Sequence, residues 1–279
     1  MPIRVSSIQR GCVYDGPGVR TTVFLKGCYL TCPWCCNPEA MHYDGDLCFF
    51  HNLEKCGKSI LCNNCEVKKG IDSKLVCPFG VYEPTYADWD ASELYNEIIK
   101  DYNLFIESSG GITFSGGEPL LQATDLLPVL RLLKDNGFSV AIESSLYAPS
   151  LMFKSIIDFV DNWLIDVKFQ SGYVLYQNSY HLLDDFFSNL QELQKNNKSI
   201  EYRMVITHQT VSNISRAIDC FKSNSINSVN LLIYHNLGSV KYSKLGIAEK
   251  KFTPPSDEEI VTIRRMFEKN NIITKVLSI

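Results

Sequence analysis

The sequence predicts an α/β fold around a parallel sheet, because short apolar strands alternate with amphipathic helices over most of its length. A β-branched run at 21–25 is the first of these strands. The later predicted strands cover 112–114, 138–143, 162–167, 200–206, 228–234 and 272–277. The alternation gives six main βα units, which are too few for a closed eight-stranded barrel.

The helices between these strands carry start and stop signals. Asp90 with Glu93, and Ser256 with Glu259, have the spacing of capping boxes. Gly137 directly follows the second helix and is typical of a C′ position. The predicted helices begin after Asp90, cover 124–136, begin at Pro149, cover 184–196 and 212–223, and begin after Ser256.

Composition narrows the class of protein. The chain has 279 residues, 45% of them hydrophobic and 21% charged, with a net charge of −4. That balance argues against a nucleic-acid or anionic-membrane surface. The sequence shows neither a signal-peptide core at its start nor an apolar run long enough for a membrane span, which predicts a cytoplasmic location. Eleven cysteines in a reducing compartment favour metal ligands over disulfides, and their odd number excludes a complete disulfide framework.

Three of these cysteines, Cys28, Cys32 and Cys35, lie in one short loop directly after the strand at 21–25. Thiolates so close together suit a soft metal site. A cubane iron–sulfur cluster normally takes four cysteine ligands, so three would leave one iron open for chemistry. The spacing favours a cluster, while a partial zinc site or three structural thiols remain alternatives.

A glycine-rich turn, Asp15-Gly16-Pro17-Gly18-Val19-Arg20, precedes the same strand. Alone, Asp15 would be expected only to accept backbone N–H bonds in the turn. Together, this turn and the three-cysteine loop resemble the glycyl radical enzyme activating enzymes (pyruvate formate-lyase activating enzyme-like) of the radical S-adenosylmethionine (SAM) superfamily. The resemblance covers nearly all of residues 7–279 and implies a partial, open (β/α)6 radical SAM barrel. In that family the aspartate at position 15 lies near the entry site of the partner's glycine loop.

A second cysteine-rich segment at 36–86 divides the chain, so that residues 1–35 and 87–279 would form the barrel and 36–86 a ferredoxin-like insert. Its Cys-x-x-Cys pair and later Cys-Pro resemble a ferredoxin-type cluster site. The five cysteines from Cys48 to Cys77 cannot supply the eight ligands of two clusters, which predicts one auxiliary [4Fe-4S] cluster. Cys48 could replace Cys56 in it, and a four-cysteine zinc knuckle is the alternative. The expected ligands are Cys56, Cys62, Cys65 and Cys77.

Polar motifs follow several of the predicted strands, where α/β barrels keep their chemistry. The resemblance implies that Ser115-Gly116-Gly117-Glu118-Pro119 holds the SAM amino group and that Asp166-Val167-Lys168 contacts SAM. Glu143-Ser144-Ser145 departs from the acidic residue and threonine usual in the family. The SAM-binding residues implied are Pro33, Trp34, Cys35, Gly116, Gly117, Glu118, Ser144, Asp166, Val167, Lys168, Arg203 and His235. Catalytic roles are implied for Asp15, Lys168 and His235.

The resemblance implies activation of a partner glycyl radical enzyme. A reduced flavodoxin or ferredoxin would reduce the cluster, SAM would be cleaved to methionine and a 5′-deoxyadenosyl radical, and that radical would abstract hydrogen from a glycine of the partner. The chain's part would be positioning and the exclusion of side reactions.

Two alternatives stay open at this point. One is a radical SAM enzyme that acts on a small molecule or peptide, against which the Asp15–Arg20 motif and the segment around His235 argue. The other is a non-catalytic iron–sulfur or zinc-binding module, against which motifs at three separate strand ends argue. The sequence leaves the particular partner, the oligomeric state and the auxiliary ligands undecided.

Overall fold

The computed structural model describes residues 1–44, 48–50, 77, 81–168 and 182–277. Its strands are β1 (Ile3–Cys12), β2 (Arg20–Leu25), β3 (Cys48–Phe50), β4 (Tyr82–Pro84), β5 (Ala87–Trp89), β6 (Gly111–Gly116), β7 (Ser139–Ser144), β8 (Asn162–Asp166), β9 (Ser199–Ile206), β10 (Ser228–Ile233) and β11 (Ile273–Leu277). Its α-helices are α1 (Ala91–Ile98), α2 (Tyr102–Ser108), α3 (Ala123–Asp135), α4 (Ser150–Ile156), α5 (Leu182–Lys195), α6 (Ile214–Ser223), α7 (Ser239–Leu245) and α8 (Asp257–Glu268).

Nine strands form one sheet in the order β11-β10-β9-β8-β7-β6-β2-β1-β5. From β2 to β11 every neighbouring pair is parallel, which confirms the predicted parallel α/β fold. β1 was not predicted; it runs antiparallel to both β2 and β5 and extends the sheet beyond β2. In the described part of the chain β11 and β5 are the two outer strands, so the barrel is open between them.

The helix signals are confirmed at both capping boxes. Asp90 and Glu93 exchange side-chain and backbone hydrogen bonds at the start of α1, and Ser256 and Glu259 do so at the start of α8. The first predicted helix ends at Ile98, because a 3-10 turn at Ile99–Asp101 separates α1 from α2.

The two faces of the curved sheet differ in polarity, because side chains alternate along each strand. The outer face packs against the helices and is apolar; Ile112, Phe114, Val140, Ile142 and Trp163 are fully buried there. The inner face carries hydroxyl and charged groups, including Thr22, Thr113, Ser115, Glu143 and Arg203. The polar inner face is where the fold can hold a charged ligand.

The segment at 36–86 is described only at its two ends. Residues 38–41 form a short turn that hydrogen-bonds back to the loop after β2. β3 and β4 pair antiparallel, which brings residues 48–50 and 82–84 together. Cys77 is buried. The predicted ligands Cys56, Cys62 and Cys65 lie outside the described residues.

Candidate functional site

The cysteine loop (residues 27–37) leaves the carboxyl end of β2 and is fixed by backbone hydrogen bonds on two sides. Gly27 N donates to Ala40 O at 2.7 Å and Cys28 N to Met41 O at 2.9 Å. On the other side, Glu118 N donates to Gly27 O at 2.7 Å. The loop therefore lies between the turn at 38–41 and the end of β6.

The three thiols of this loop influence one another; Cys32 is buried, and Cys28 and Cys35 are partly buried. Burial raises the pKa of Cys28, Cys32 and Cys35, that of Cys32 to about 11. The charge of Cys32 raises the pKa of both neighbours further. Leu30 N donates to Cys28 Sγ at 3.3 Å, and Asn37 N donates to Cys35 Sγ at 3.4 Å.

This environment fits an iron–sulfur cluster. Burial opposes the charged thiolates, so a positive centre is what would allow all three to ionise together. Two backbone N–H groups already point at sulfur atoms, as is usual where potentials are tuned by hydrogen bonds. Within the described ranges, no three His, Cys, Asp or Glu side chains converge on a point that one metal ion could occupy. A cubane differs from such an ion, because it binds each thiolate through a separate iron.

The end of β6 packs directly against the cysteine loop. A Cβ on Gly117 would lie 2.1 Å from Gly27 O and 2.7 Å from Ala40 O, so only glycine fits at this position. Glu118 is 1% exposed. Ser144 Oγ donates to Glu118 Oε1 at 2.7 Å, while Ser145 N and Oγ donate to Oε2 at 2.9 and 2.6 Å. Glu118 thus joins the end of β6 to the end of β7, and burial raises its pKa.

The end of β8 brings a charged pair to the same site. Lys168 and Asp166 form an ion pair, and both side chains are mostly buried. Burial favours the neutral amine, but Asp166 and the thiols of Cys32 and Cys35 outweigh it, so the pKa of Lys168 is raised. The second oxygen of Asp166, Oδ1, is buried and has no hydrogen-bond partner among the described residues. Val167 N donates to Arg203 O at 2.7 Å and fixes the backbone between the two charges.

The segment after β10 covers the cysteine loop from its other side. A Cβ on Gly238 would lie 3.0 Å from Cys36 Cα, which shows how closely the two backbones approach. Lys241 Nζ, on α7, donates to Asn37 Oδ1 at 2.8 Å and to Glu39 Oε1 at 2.6 Å. Tyr242 is 7% exposed, and the charges of nearby cysteines add to burial in raising its pKa. The sequence analysis assigned no role to Lys241 or Tyr242.

His235 and Trp34 have different surroundings from the residues above. His235 is half-buried, and its Nδ1 accepts an N–H bond from Leu237, two residues along the chain, at 3.4 Å. The Trp34 ring meets the Phe252 ring edge-on at a centroid distance of 5.8 Å. Pro33, next to it, is half-buried. The cofactor roles of these three residues stay predictions.

The turn at 15–20 lies at the amino end of β2, opposite the cysteine loop, and its side chains reach the inner face of the sheet. Thr22 Oγ1 donates to Asp15 Oδ2 at 2.6 Å, and Thr113 Oγ1 donates to Asp15 O at 2.6 Å. Burial and the charge of Glu143 raise the pKa of Asp15. The β2 strand therefore separates Asp15 from the three thiols.

Arg203 connects this turn to the strands. It pairs with Glu143 at 3.2 Å and with Glu201 at 2.8 Å, and it donates to Tyr14 O. Ser115 Oγ donates to the other oxygen of Glu143 at 2.6 Å. Glu143 was missed as a site residue, although alternation along β7 places it on the inner face. The SAM contact of Arg203 stays a prediction, and the side chain holds these partners as well.

The structure thus brings most of the predicted site to one end of the sheet. Cys28, Cys32, Cys35 and Lys168 lie close enough for their charges to interact, and the Gly116–Glu118 segment contacts the cysteine loop through backbone atoms. Arrangements of this kind, at the carboxyl ends of the strands of a partial parallel barrel, define the radical SAM class of fold. A radical SAM methyltransferase from Sphaerobacter thermophilus shares the fold, with a TM-score of 0.58 at 12% identity over 100% of this chain and 77% of that chain.

Sequence comparisons place the chain within that class. The 4Fe-4S single cluster domain family matches residues 14–182. The trans-4-hydroxy-L-proline dehydratase activating enzyme of Clostridioides difficile is 30% identical over 98% of both chains. The pyruvate formate-lyase 2-activating enzyme of Escherichia coli (strain K12) is 33% identical over 95% of this chain and 89% of its own. The chain belongs to the family of glycyl radical enzyme activating enzymes, which use an iron–sulfur cluster and SAM.

Proposed function

We propose that this chain installs a glycyl radical on a partner enzyme, with Cys28, Cys32 and Cys35 holding the cluster that binds SAM. The observation that carries the proposal is the cluster of three thiols, one of them buried and two partly buried, beside the cation of Lys168, in a chain whose relatives are activating enzymes. The chemistry that the cluster and SAM supply when bound is reductive cleavage of the SAM sulfonium, which yields methionine and a 5′-deoxyadenosyl radical.

The chain's own groups hold the substrate for that step. Lys168 keeps its positive charge because Asp166 and the thiols raise its pKa, so it can receive the SAM carboxylate. Asp166 Oδ1 has no protein partner among the described residues and can accept a hydrogen bond from SAM. Glu118 positions the end of β6 through Ser144 and Ser145, so the backbone of Gly116 and Gly117 borders the site. Further contacts to SAM are assigned to Pro33, Trp34, Arg203 and His235.

The partner's glycine would reach SAM along the polar inner face. The open side of the sheet leaves room for an extended peptide segment, and Asp15 borders the same face from its amino end. Asp15→Asn should therefore impair radical transfer more than it impairs SAM cleavage without partner. The partner must release its glycine loop from its own interior, so binding should be coupled to local opening.

The decisive experiment for the cluster uses Cys32→Ala after anaerobic reconstitution. SAM cleavage, measured as 5′-deoxyadenosine, should be abolished while most of the fold is kept. Cys220→Ala is the matched control, because Cys220 is a half-buried thiol on α6, outside the cysteine loop, and its loss should leave cleavage unchanged. Turnover of Cys32→Ala at the wild-type rate would overturn the ligand assignment.

The partner is tested by mixing the reduced protein, SAM and a candidate enzyme encoded next to it. An EPR doublet that collapses on deuteration of the glycine α-position is expected. SAM cleavage without a protein radical on any candidate, together with turnover of a free metabolite, would favour a small-molecule radical SAM enzyme instead.

We further infer an auxiliary [4Fe-4S] cluster held by Cys56, Cys62, Cys65 and Cys77. The support is their spacing and the burial of Cys77. The electron donor proposed is a reduced flavodoxin or ferredoxin, and a cytoplasmic location is proposed from the number of cysteines. The described residues include no helix that is both long and apolar enough to cross a membrane.

A further inference from the structure

Tyr242 combines three properties that the proposed chemistry has not used. Its side chain is 7% exposed. Its hydroxyl is buried and makes no hydrogen bond with any described residue. Buried phenol hydroxyls normally have a partner, so an unpartnered one points to a group that binds there.

The helix that carries Tyr242 is held firmly against the cysteine loop. Gly238, at the start of α7, packs on the backbone of Cys35 and Cys36, where a Cβ would meet Cys36 Cα at 3.0 Å and Cys35 O at 3.3 Å. Lys241, the preceding residue, holds Asn37 and Glu39 at 2.8 and 2.6 Å. These contacts fix the position of the Tyr242 ring relative to the loop.

Tyr242 lies close enough to three cysteines of the loop for their charges to act on its hydroxyl. After burial, the charges that raise its pKa most are those of Cys35 and Cys32, followed by Cys36. Two of these residues are proposed ligands of the cluster. A phenol hydroxyl carries one proton that it can donate in a hydrogen bond to sulfur, and that of Tyr242 is buried without another partner among the described residues.

We propose that the Tyr242 hydroxyl donates a hydrogen bond to a sulfur of the cluster, on the side of Cys35 and Cys32, and thereby stabilises the reduced state. The inference rests on the proposed function, because it requires the cluster to be bound by this loop. The reduced cluster carries one more negative charge than the oxidised cluster, so a donated hydrogen bond raises its reduction potential. Tyr242 is in this respect a positioning and tuning residue and takes no part in electron or hydrogen transfer.

The test is an EPR-monitored redox titration of the cluster-loaded protein without SAM, comparing Tyr242→Phe with the wild type. At the potential where the wild type is half reduced, the ratio of reduced to oxidised cluster should fall about tenfold in the variant. For a one-electron couple that equals a midpoint potential more negative by about 59 mV. Tyr202→Phe is the matched control. Tyr202 lies on β9, and its hydroxyl accepts a hydrogen bond from Gln194 Nε2 at 3.3 Å. Removal of this hydroxyl should leave the midpoint potential unchanged.

A second variant keeps the shape of the side chain. 3-Fluorotyrosine at position 242 retains the hydroxyl but makes it a stronger donor, so the midpoint potential should move in the opposite direction. Unchanged potentials in both position-242 proteins would overturn the inference and place the hydroxyl against another group. Absence of a cluster from the wild type after reconstitution would instead overturn the proposed function, so the two failures are distinguishable.

Discussion

Removing the charge of Lys241 tests how strongly α7 is held to the cysteine loop. Lys241→Met keeps most of the aliphatic stem but leaves the carboxylate of Glu39 without its cation. Glu39 is 8% exposed at its side chain, and its second oxygen, Oε2, has no partner among the described residues. We therefore expect the removal of this single charge to lower the stability of the protein clearly.

The size of the expected loss in unfolding free energy follows from the burial of the ion pair. Breaking a fully buried pair typically destabilises by about 3–5 kcal/mol. The Lys241 side chain is 35% exposed, so solvent screening reduces this to about 2 kcal/mol. The pair between Lys134 and Asp161 has the same N–O distance, 2.6 Å, but its carboxylate is 39% exposed. Lys134→Met should therefore lower the free energy of unfolding by less than about 1 kcal/mol.

Urea unfolding of the reduced, metal-free protein measures both changes without a contribution from metal binding. Adding Glu39→Gln to Lys241→Met should recover part of the loss, because the uncompensated charge is then gone; the coupling energy expected is about 1–2 kcal/mol. Equal losses for Lys241→Met and Lys134→Met, or no coupling to Glu39, would show that burial of this pair does not stabilise the loop.

Three further changes probe other parts of the chain. Gly117→Ala should lower the free energy of unfolding by about 3 kcal/mol, since its Cβ would meet Gly27 O at 2.1 Å. Gly137→Ala should lower it by only about 1 kcal/mol, because the backbone φ is +76° but no atom lies within 4 Å of the added Cβ. Similar urea midpoints for the two variants would contradict this. Burial raises the pKa of Cys220 to about 11. At pH 8 the thiolate fraction of Cys220 is then about a hundredfold below that of an ordinary thiol. Alkylation of Cys220 by iodoacetamide, followed by mass spectrometry, should therefore be slow in the native chain and rise about tenfold per pH unit up to pH 10. A native alkylation rate equal to the rate in urea would refute this prediction. Cys62→Ala should lose the auxiliary cluster but retain the SAM-binding one in iron analysis and Mössbauer spectra, and zinc or unchanged cluster content would contradict the proposed ligands.

The parallel strands were predictable because they are short apolar or β-branched runs that alternate with amphipathic helices. β1 was not, since its pairing with β2 shifts register between Val5 and Ser7 and again between Gln9 and Cys12. Such irregularities break the period of two that identifies a strand from sequence.

The candidate site residues could be chosen from the sequence, but their hydrogen-bond partners could not. Cys28, Cys32 and Cys35 are recognisable because their spacing is local. Glu118 binds Ser144 and Ser145, which lie 26 and 27 residues away from it in the chain. Only the packing of β6 beside β7 brings them together, and a single sequence carries no signal for such a contact.

The contact between α7 and the cysteine loop also has a consequence for synthesis of the protein. Lys241 lies 204 residues after Asn37 and 202 after Glu39. At about 5–20 residues per second, a ribosome needs about 10–40 s to make the intervening chain. During that time the three thiols of the nascent chain have no α7 to shield them. Oxidation of these cysteines before the last helices emerge would therefore prevent them from holding the proposed cluster.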